Sequence, residues 1–193
     1  MLNDIFKNPI LNCKVSNTEA ALEVYKEMRK KNESRTVSNR GGYQSPLLLR
    51  EEREKIFTTD VMKDILEEAM NLYDWKKPLN FNIDGAWFNA NESGDYNISH
   101  RHSKSHFSFV WYLKVPDSSS GQLILEHPDS ALIMTGLFDL ERNDKNYYNS
   151  ELMQITPSEG LMVMFPASLK HRVERYEGQA TRVSLAFNGS FKQ

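Results

Sequence analysis

The sequence predicts a mainly β domain behind N-terminal helices, an α+β sandwich or barrel with the helices packed against one sheet. Three observations predict it. Apolar residues recur at helical spacing before Pro78. After Pro78 the alternation changes to a period of two. From there, short apolar runs are separated by turn clusters along the rest of the chain. Residues 1–193 read as one domain, with a helical and loop support region over 1–78 and a β core over 79–193.

Taken in order, Ser16-Asn17-Thr18-Glu19 matches a capping box and opens a helix with Ala21, Leu22, Tyr25 and Met28 on one face. That helix fades near Lys31-Asn32, and the polar segment 33–47, with R-G-G-Y-Q-S-P, reads as a loop with tight turns. A second helix is expected from Thr59-Asp60 to about Tyr73, with Val61, Ile65, Leu66, Ala69 and Leu72 on its apolar face. Phe81, Ile83, Gly85 and Trp87 then alternate with polar or small residues. Strands are expected at about 81–89, 106–115, 121–126, 152–156, 160–165, 171–176 and 180–188. Asp117 to Gly121, Pro157 to Gly160 and Glu177 to Gln179 supply turns, and Asn143 to Asn149 reads as a surface loop.

Composition narrows the function classes. A net charge of -2 with mixed signs along the chain leaves no footprint for nucleic acid or an anionic membrane. The longest apolar stretches, such as Leu161 to Phe165, are too short to span a bilayer. The start, M-L-N-D-I-F-K, has an early acid and does not read as a signal peptide. Cys13 is the only cysteine and cannot form an internal disulfide, so a reducing, cytoplasmic setting is expected.

Three of the five histidines fall in N-I-S-H-R-H-S-K-S-H, just ahead of the run F-S-F-V-W-Y. On a strand, side chains two apart share a face, so His100 and His102 could both reach one space with Arg101 turned away. Two neutral imidazoles suit a divalent metal, and a reactive site needs a third ligand with open positions beside it. His171 in F-P-A-S-L-K-H-R-V is the third candidate, because Pro166 must turn the chain and His171 would head a new strand. Surface or capping histidines are the alternative. His106 shares parity with His102 only if the strand continues through Ser103-Lys104-Ser105, which looks like a bulge or loop; His127, before Pro128, suits a turn.

In T-R-V-S-L-A-F-N, Arg182, Ser184 and Ala186 share one face while Val183, Leu185 and Phe187 share the other. A buried, unpaired guanidinium is costly, and its planar fork pairs best with a carboxylate. Glu126 and Glu174 are candidate internal partners. A ligand carboxylate is the functional alternative, with the Ser184 hydroxyl adding a hydrogen bond, and an edge-strand arginine reaching solvent is the third reading. Phe107, Phe109, Trp111 and Leu113 form a core face, and Tyr112 on the other face could offer its phenol to the same carboxylate.

The stretches S-N-R-G-G-Y-Q-S, A-W-F-N-A-N-E-S-G-D-Y-N-I-S-H-R-H, F-S-F-V-W-Y-L, G-Q-L-I-L-E-H-P, P-S-E-G-L-M-V-M-F-P-A-S-L-K-H-R-V and T-R-V-S-L-A-F-N run in order over most of residues 38 to 188. In them the chain resembles the 2-oxoglutarate- and Fe(II)-dependent oxygenases, in particular a short, prolyl-hydroxylase-like branch found in bacteria and their phages. The resemblance implies a double-stranded β-helix, a cupin-like jelly roll with the metal between its sheets. It also implies Fe(II), 2-oxoglutarate as co-substrate and O2, with hydroxylation of a substrate and release of succinate and CO2. Residue by residue, it implies His100 and His171 as metal ligands and Arg182 with Ser184 and Tyr112 around the far carboxylate of 2-oxoglutarate. Where the superfamily carries H-x-D or H-x-E this chain has His102, giving a three-histidine set. Trp87 and Asn97 lie near these histidines in sequence as supporting or substrate contacts.

A small molecule or a peptide, prolyl residues included, is the expected substrate, with specificity in loops such as Ser34 to Pro46 and Pro128 to Ser150. No nucleic-acid or membrane partner is expected, and a homodimer is compatible with the sequence. The competing class is a three-histidine cupin-like dioxygenase without a co-substrate, or a non-catalytic metal- or carboxylate-binding barrel.

Overall fold

The computed structural model describes residues 8–75, 80–129, 135–136, 141 and 150–192. Three helices precede the main β region: α1 (Glu19–Lys31), α2 (Arg50–Ile56) and α3 (Thr59–Leu72). Strands β1 (Leu11–Lys14), β2 (Asn39–Arg40) and β3 (Tyr43–Gln44) are interleaved with them. Eight strands follow: β4 (Asn80–Asn91), β5 (Tyr96–His100), β6 (Phe107–Lys114), β7 (Leu123–Glu126), β8 (Leu152–Ile155), β9 (Leu161–Pro166), β10 (His171–Val173) and β11 (Arg182–Lys192).

They form two antiparallel sheets, ordered β1-β9-β6-β11-β4-β3 and β2-β5-β10-β7-β8. From β4 onward the chain passes back and forth between the sheets, so β4, β6, β9 and β11 build the larger and β5, β7, β8 and β10 the smaller. That alternation winds the backbone into a double-stranded β-helix, the fold that the resemblance implies.

The alternation in β6 and β11 decides which face is core. Phe109, Trp111, Leu185 and Phe187 are fully buried on the helix side of the larger sheet, against Ala21, Met28, Ile65 and Ala69 of α1 and α3. Phe109 and Phe187 stack with centroids 4.4 Å apart, and Phe57 meets Phe187 edge-on at 4.9 Å. Each such ring contributes roughly 1.5–3 kcal/mol by leaving water. The opposite faces of β6 and β11 look toward the smaller sheet and carry the site.

Several local expectations are corrected. The S-x-x-E box at Ser16 does not form: Thr18 is the N-cap and makes no side-chain cap hydrogen bond. Helix α2 escapes a periodicity search because only Ile56 among its residues is buried. Surface chemistry supports it instead. The Glu52 carboxylate accepts the Leu49 N–H at 2.7 Å, and Arg50 pairs with Glu54 one turn on. The segment read as a loop at 33–47 contains β2 and β3, which join opposite sheets through Gly41 and Gly42, both at positive φ. A Cβ on either would run into the Asp95 carboxylate.

Pro78, the start M-L-N-D-I-F-K and the Asn143 to Asn149 loop lie outside the described residues, as does most of Pro128 to Ser150. Among the described residues no helix is long and apolar enough to cross a membrane.

Candidate metal centre and carboxylate pocket

His100 ends β5 and His171 begins β10, and the two are direct partners across the antiparallel ladder. His102 arrives differently from the sequence expectation. Strand β5 stops at His100, and His102 lies in the following loop, its backbone N–H donating to the Ala167 carbonyl at 2.8 Å. Loop anchoring, rather than strand parity, brings its ring alongside. The ring centroids lie 4.3 Å (His100–His171), 5.1 Å (His100–His102) and 5.3 Å (His102–His171) apart. One nitrogen from each ring lies within 4.8 Å of the other two.

The donor chemistry fits a cation. His100 and His171 each turn Nδ1 to a carbonyl, of Ile98 at 2.8 Å and of Leu169 at 2.9 Å. With Nδ1–H donating there, each Nε2 presents a lone pair. Burial keeps the rings neutral. It pushes His171 down to about 3, with His100 and His102 adding repulsion that the Leu169 carbonyl partly offsets. Burial and the nearby His100 push His102 down to about 4, and burial lowers His100 against the pull of the Ile98 carbonyl. Phe165 packs edge-on against the His171 ring at 4.8 Å. These residues could hold a divalent metal.

The second half of the site lies on the larger sheet. Arg182, Ser184 and Ala186 follow one another along β11, and Ser184 is the direct cross-strand partner of Tyr112 on β6. Arg182 is 2% exposed, on a central strand, which excludes the edge-strand reading. It donates from Nη1 to the Gly121 carbonyl at 2.5 Å and from Nη2 to Asn91 Oδ1 at 3.0 Å, and it lies 4.9 Å over the Tyr176 ring. Its Nε is buried without a partner. Glu126 pairs with Arg172 instead, at 3.3 Å. Among the described residues no carboxylate forms an ion pair with Arg182. Burial accordingly lowers its affinity for its proton, and raises Tyr112 to about 12 despite the stabilising guanidinium.

Both halves open into one cavity lined by the three histidines, Arg182, Ser184 and Tyr112. Trp87 and Asn97 line it too: the Trp87 ring is 5.8 Å from His102, and Asn97 Nδ2 donates to Ser38 Oγ at 3.0 Å. His106 and His127 stand apart. His106 Nδ1 accepts the Phe191 N–H at 3.3 Å, and His127 Nδ1 accepts the Asp129 N–H at 3.1 Å in a turn. Sequence reasoning missed Asn91, Gly121 and Tyr176, which hold Arg182, and Ser38, which reaches the cavity from the N-terminal segment. Only the D-S-S-S-G turn signal hinted at Gly121.

A family model described as "Putative 2OG-Fe(II) oxygenase" matches residues 85–188. The chain belongs to that family and is a 2-oxoglutarate-dependent oxygenase, whose metal cofactor is Fe(II) and whose co-substrates are 2-oxoglutarate and O2. No curated protein matches the sequence. Among solved structures, a viral collagen prolyl hydroxylase from Paramecium Bursaria Chlorella virus-1 is similar at 13% identity and a TM-score of 0.56, over 93% of this chain and 94% of that one. A Pseudomonas putida prolyl-4-hydroxylase is similar at 16% and 0.57, over 97% and 94%. The 2-oxoglutarate-dependent epimerase SnoN of nogalamycin biosynthesis is similar at 11% and 0.66, over 94% and 77%. These likenesses share the double-stranded β-helix.

Proposed function

We propose that the chain hydroxylates a substrate at an iron held by His100, His102 and His171, with 2-oxoglutarate anchored by Arg182, Tyr112 and Ser184. One observation carries this reading: a buried guanidinium that no carboxylate among the described residues pairs shares a cavity with three neutral, converging imidazoles.

The residues' work follows from their chemistry. The neutral imidazoles of His100 and His171, with Nδ1 tied to carbonyls, offer Nε2 to the metal without first losing a proton, and His102 offers a neutral ring nitrogen beside them. Arg182 supplies the positive charge that a far carboxylate seeks, and its unpartnered Nε faces the same need. The phenol of Tyr112, kept protonated at neutral pH, donates a hydrogen bond to that carboxylate, and the Ser184 hydroxyl beside it adds another. Val110, Leu123, Phe165 and Val173 add apolar wall to a cavity also lined by Asn and Ser side chains. When bound, iron supplies the oxidation in which 2-oxoglutarate, O2 and substrate C–H become succinate, CO2 and substrate C–OH.

A prolyl or other peptide residue is our reading of the substrate; the fold shared with two prolyl hydroxylases supports it, and a small molecule is the other outcome of the test. The lone Cys13 supports a cytoplasmic setting. The test is succinate release from 2-oxoglutarate by the iron-loaded protein with O2, first alone and then with proline-containing peptides. Succinate that appears with wild type and not with His171→Ala supports the proposal. No succinate under any condition, with iron shown to be bound, contradicts it.

A further inference from the structure

The inference concerns the charge left in the loaded cavity, and it rests on the reading above. All three candidate ligands are imidazoles, and among the described residues that line the cavity none is Asp or Glu. Arg182 adds a positive charge that no carboxylate among the described residues balances. Tyr112 remains a neutral phenol near physiological pH.

Divalent iron brings two positive charges and Arg182 a third, while 2-oxoglutarate carries two negative ones. One positive charge is left over in a cavity whose neutral polar lining, Asn and Ser side chains, solvates it without cancelling it. A carboxylate at position 102 would cancel it; the imidazole there does not. Trp87, its ring 5.8 Å from that of His102, and its cross-strand partner Ala186 both line the cavity.

We propose that the loaded centre takes one further monoanion, beside His102 where Trp87 and Ala186 line the cavity. A small inorganic anion and a carboxylate borne by the substrate present the same chemistry, and the two arms of the test separate them.

The measurement is anaerobic. The protein is loaded with Fe(II) and saturated with 2-oxoglutarate, and its visible charge-transfer band is followed while sodium chloride, or separately sodium acetate, is added. A bulky sulfonate salt holds ionic strength constant. In wild type we expect a saturable, one-to-one shift of the band. The anion should bind roughly tenfold or more weakly to His102→Asp, which restores the missing negative charge, and comparably to the neutral His102→Gln. A response to chloride alone supports the inorganic source, and a response to acetate supports a substrate carboxylate. A band that forms in wild type yet responds to neither anion overturns the inference, as does an equal response in His102→Asp. No band at all overturns the underlying reading of the site instead. If neither variant retains iron, the wild-type titration decides by itself.

Discussion

His100 and His171 face each other across adjacent antiparallel strands, their rings 4.3 Å apart, although they are far apart in sequence. The ladder that fixes the backbone of one strand against the other therefore also fixes the pair of imidazoles. A site built on strands is held more tightly than one built on loops. His102 is the loop-borne member, tied by one backbone hydrogen bond to Ala167.

The first expectation concerns the metal. Replacing His171 by Ala removes one of two strand-held donors, so Fe(II) affinity should fall by roughly 100-fold or more. Equilibrium dialysis under anaerobic conditions reads this directly. Affinity within a factor of three of wild type would mean that the iron sits elsewhere.

The second concerns pH and the metal-free protein. His102 and His171 are pushed down to about 4 and about 3, from an ordinary value of 6.5. Below about pH 6.5 the unfolded chain takes up protons that the folded chain refuses, so stability is full above that value and declines as pH falls toward 4 and then 3. Each histidine contributes up to about 1.4 kcal/mol per pH unit in that window. Denaturant titrations between pH 7 and 5 should show a shallower loss for His171→Leu than for wild type. Parallel curves would contradict the assignment.

Arg182 should matter far more for ligand than for fold. In Arg182→Met a buried charge that no carboxylate among the described residues pairs disappears, which favours the folded state, while Gly121 O and Asn91 Oδ1 lose a donor, which opposes it. The net change in stability should stay within about 2 kcal/mol. Affinity for 2-oxoglutarate, by calorimetry on the iron-loaded protein, should drop roughly 100-fold, because a charge-assisted pair is lost. A variant that binds 2-oxoglutarate normally would remove Arg182 from the site.

Gly121 offers a test at a distance from the ligand. Its φ is +67°, and a Cβ there would collide with the Arg182 guanidinium. Gly121→Ala should therefore displace that group and weaken 2-oxoglutarate binding by about tenfold, on top of about 1–2 kcal/mol of backbone strain. Strain without any change in binding would show that the guanidinium can move freely and still serve.

Tyr112→Phe separates packing from hydrogen bonding. Among the described residues the phenol oxygen makes no side-chain hydrogen bond, so thermal stability should barely change, while 2-oxoglutarate binding should weaken by about fivefold to tenfold. Weakened folding with unchanged binding would reverse the roles.

Much of this was legible in the sequence where one face of an element is wholly apolar. The alternations in Phe107 to Lys114 and Arg182 to Asn188 placed β6 and β11 and showed which side of each is core and which faces the cavity. Helix α2 was not legible, because only Ile56 faces inward and charge pairs do the rest. Strands β2 and β3 were hidden for another reason: they hold two residues each and depend on the Gly41-Gly42 turn and on partners far along the chain. The histidines were found through their clustering and the family likeness, yet the reason His102 joins them is tertiary. The supports of Arg182 lie 61 and 91 positions away, at Gly121 and Asn91, and no local pattern announces such contacts.

The most direct test is an anomalous-scattering map at the iron edge from crystals grown anaerobically with Fe(II) and 2-oxoglutarate. The account expects one strong peak among Nε2 of His100, Nε2 of His171 and a ring nitrogen of His102, with one end of 2-oxoglutarate on the iron and its far carboxylate on Arg182. Iron outside the three imidazoles, or 2-oxoglutarate bound away from Arg182, would contradict it.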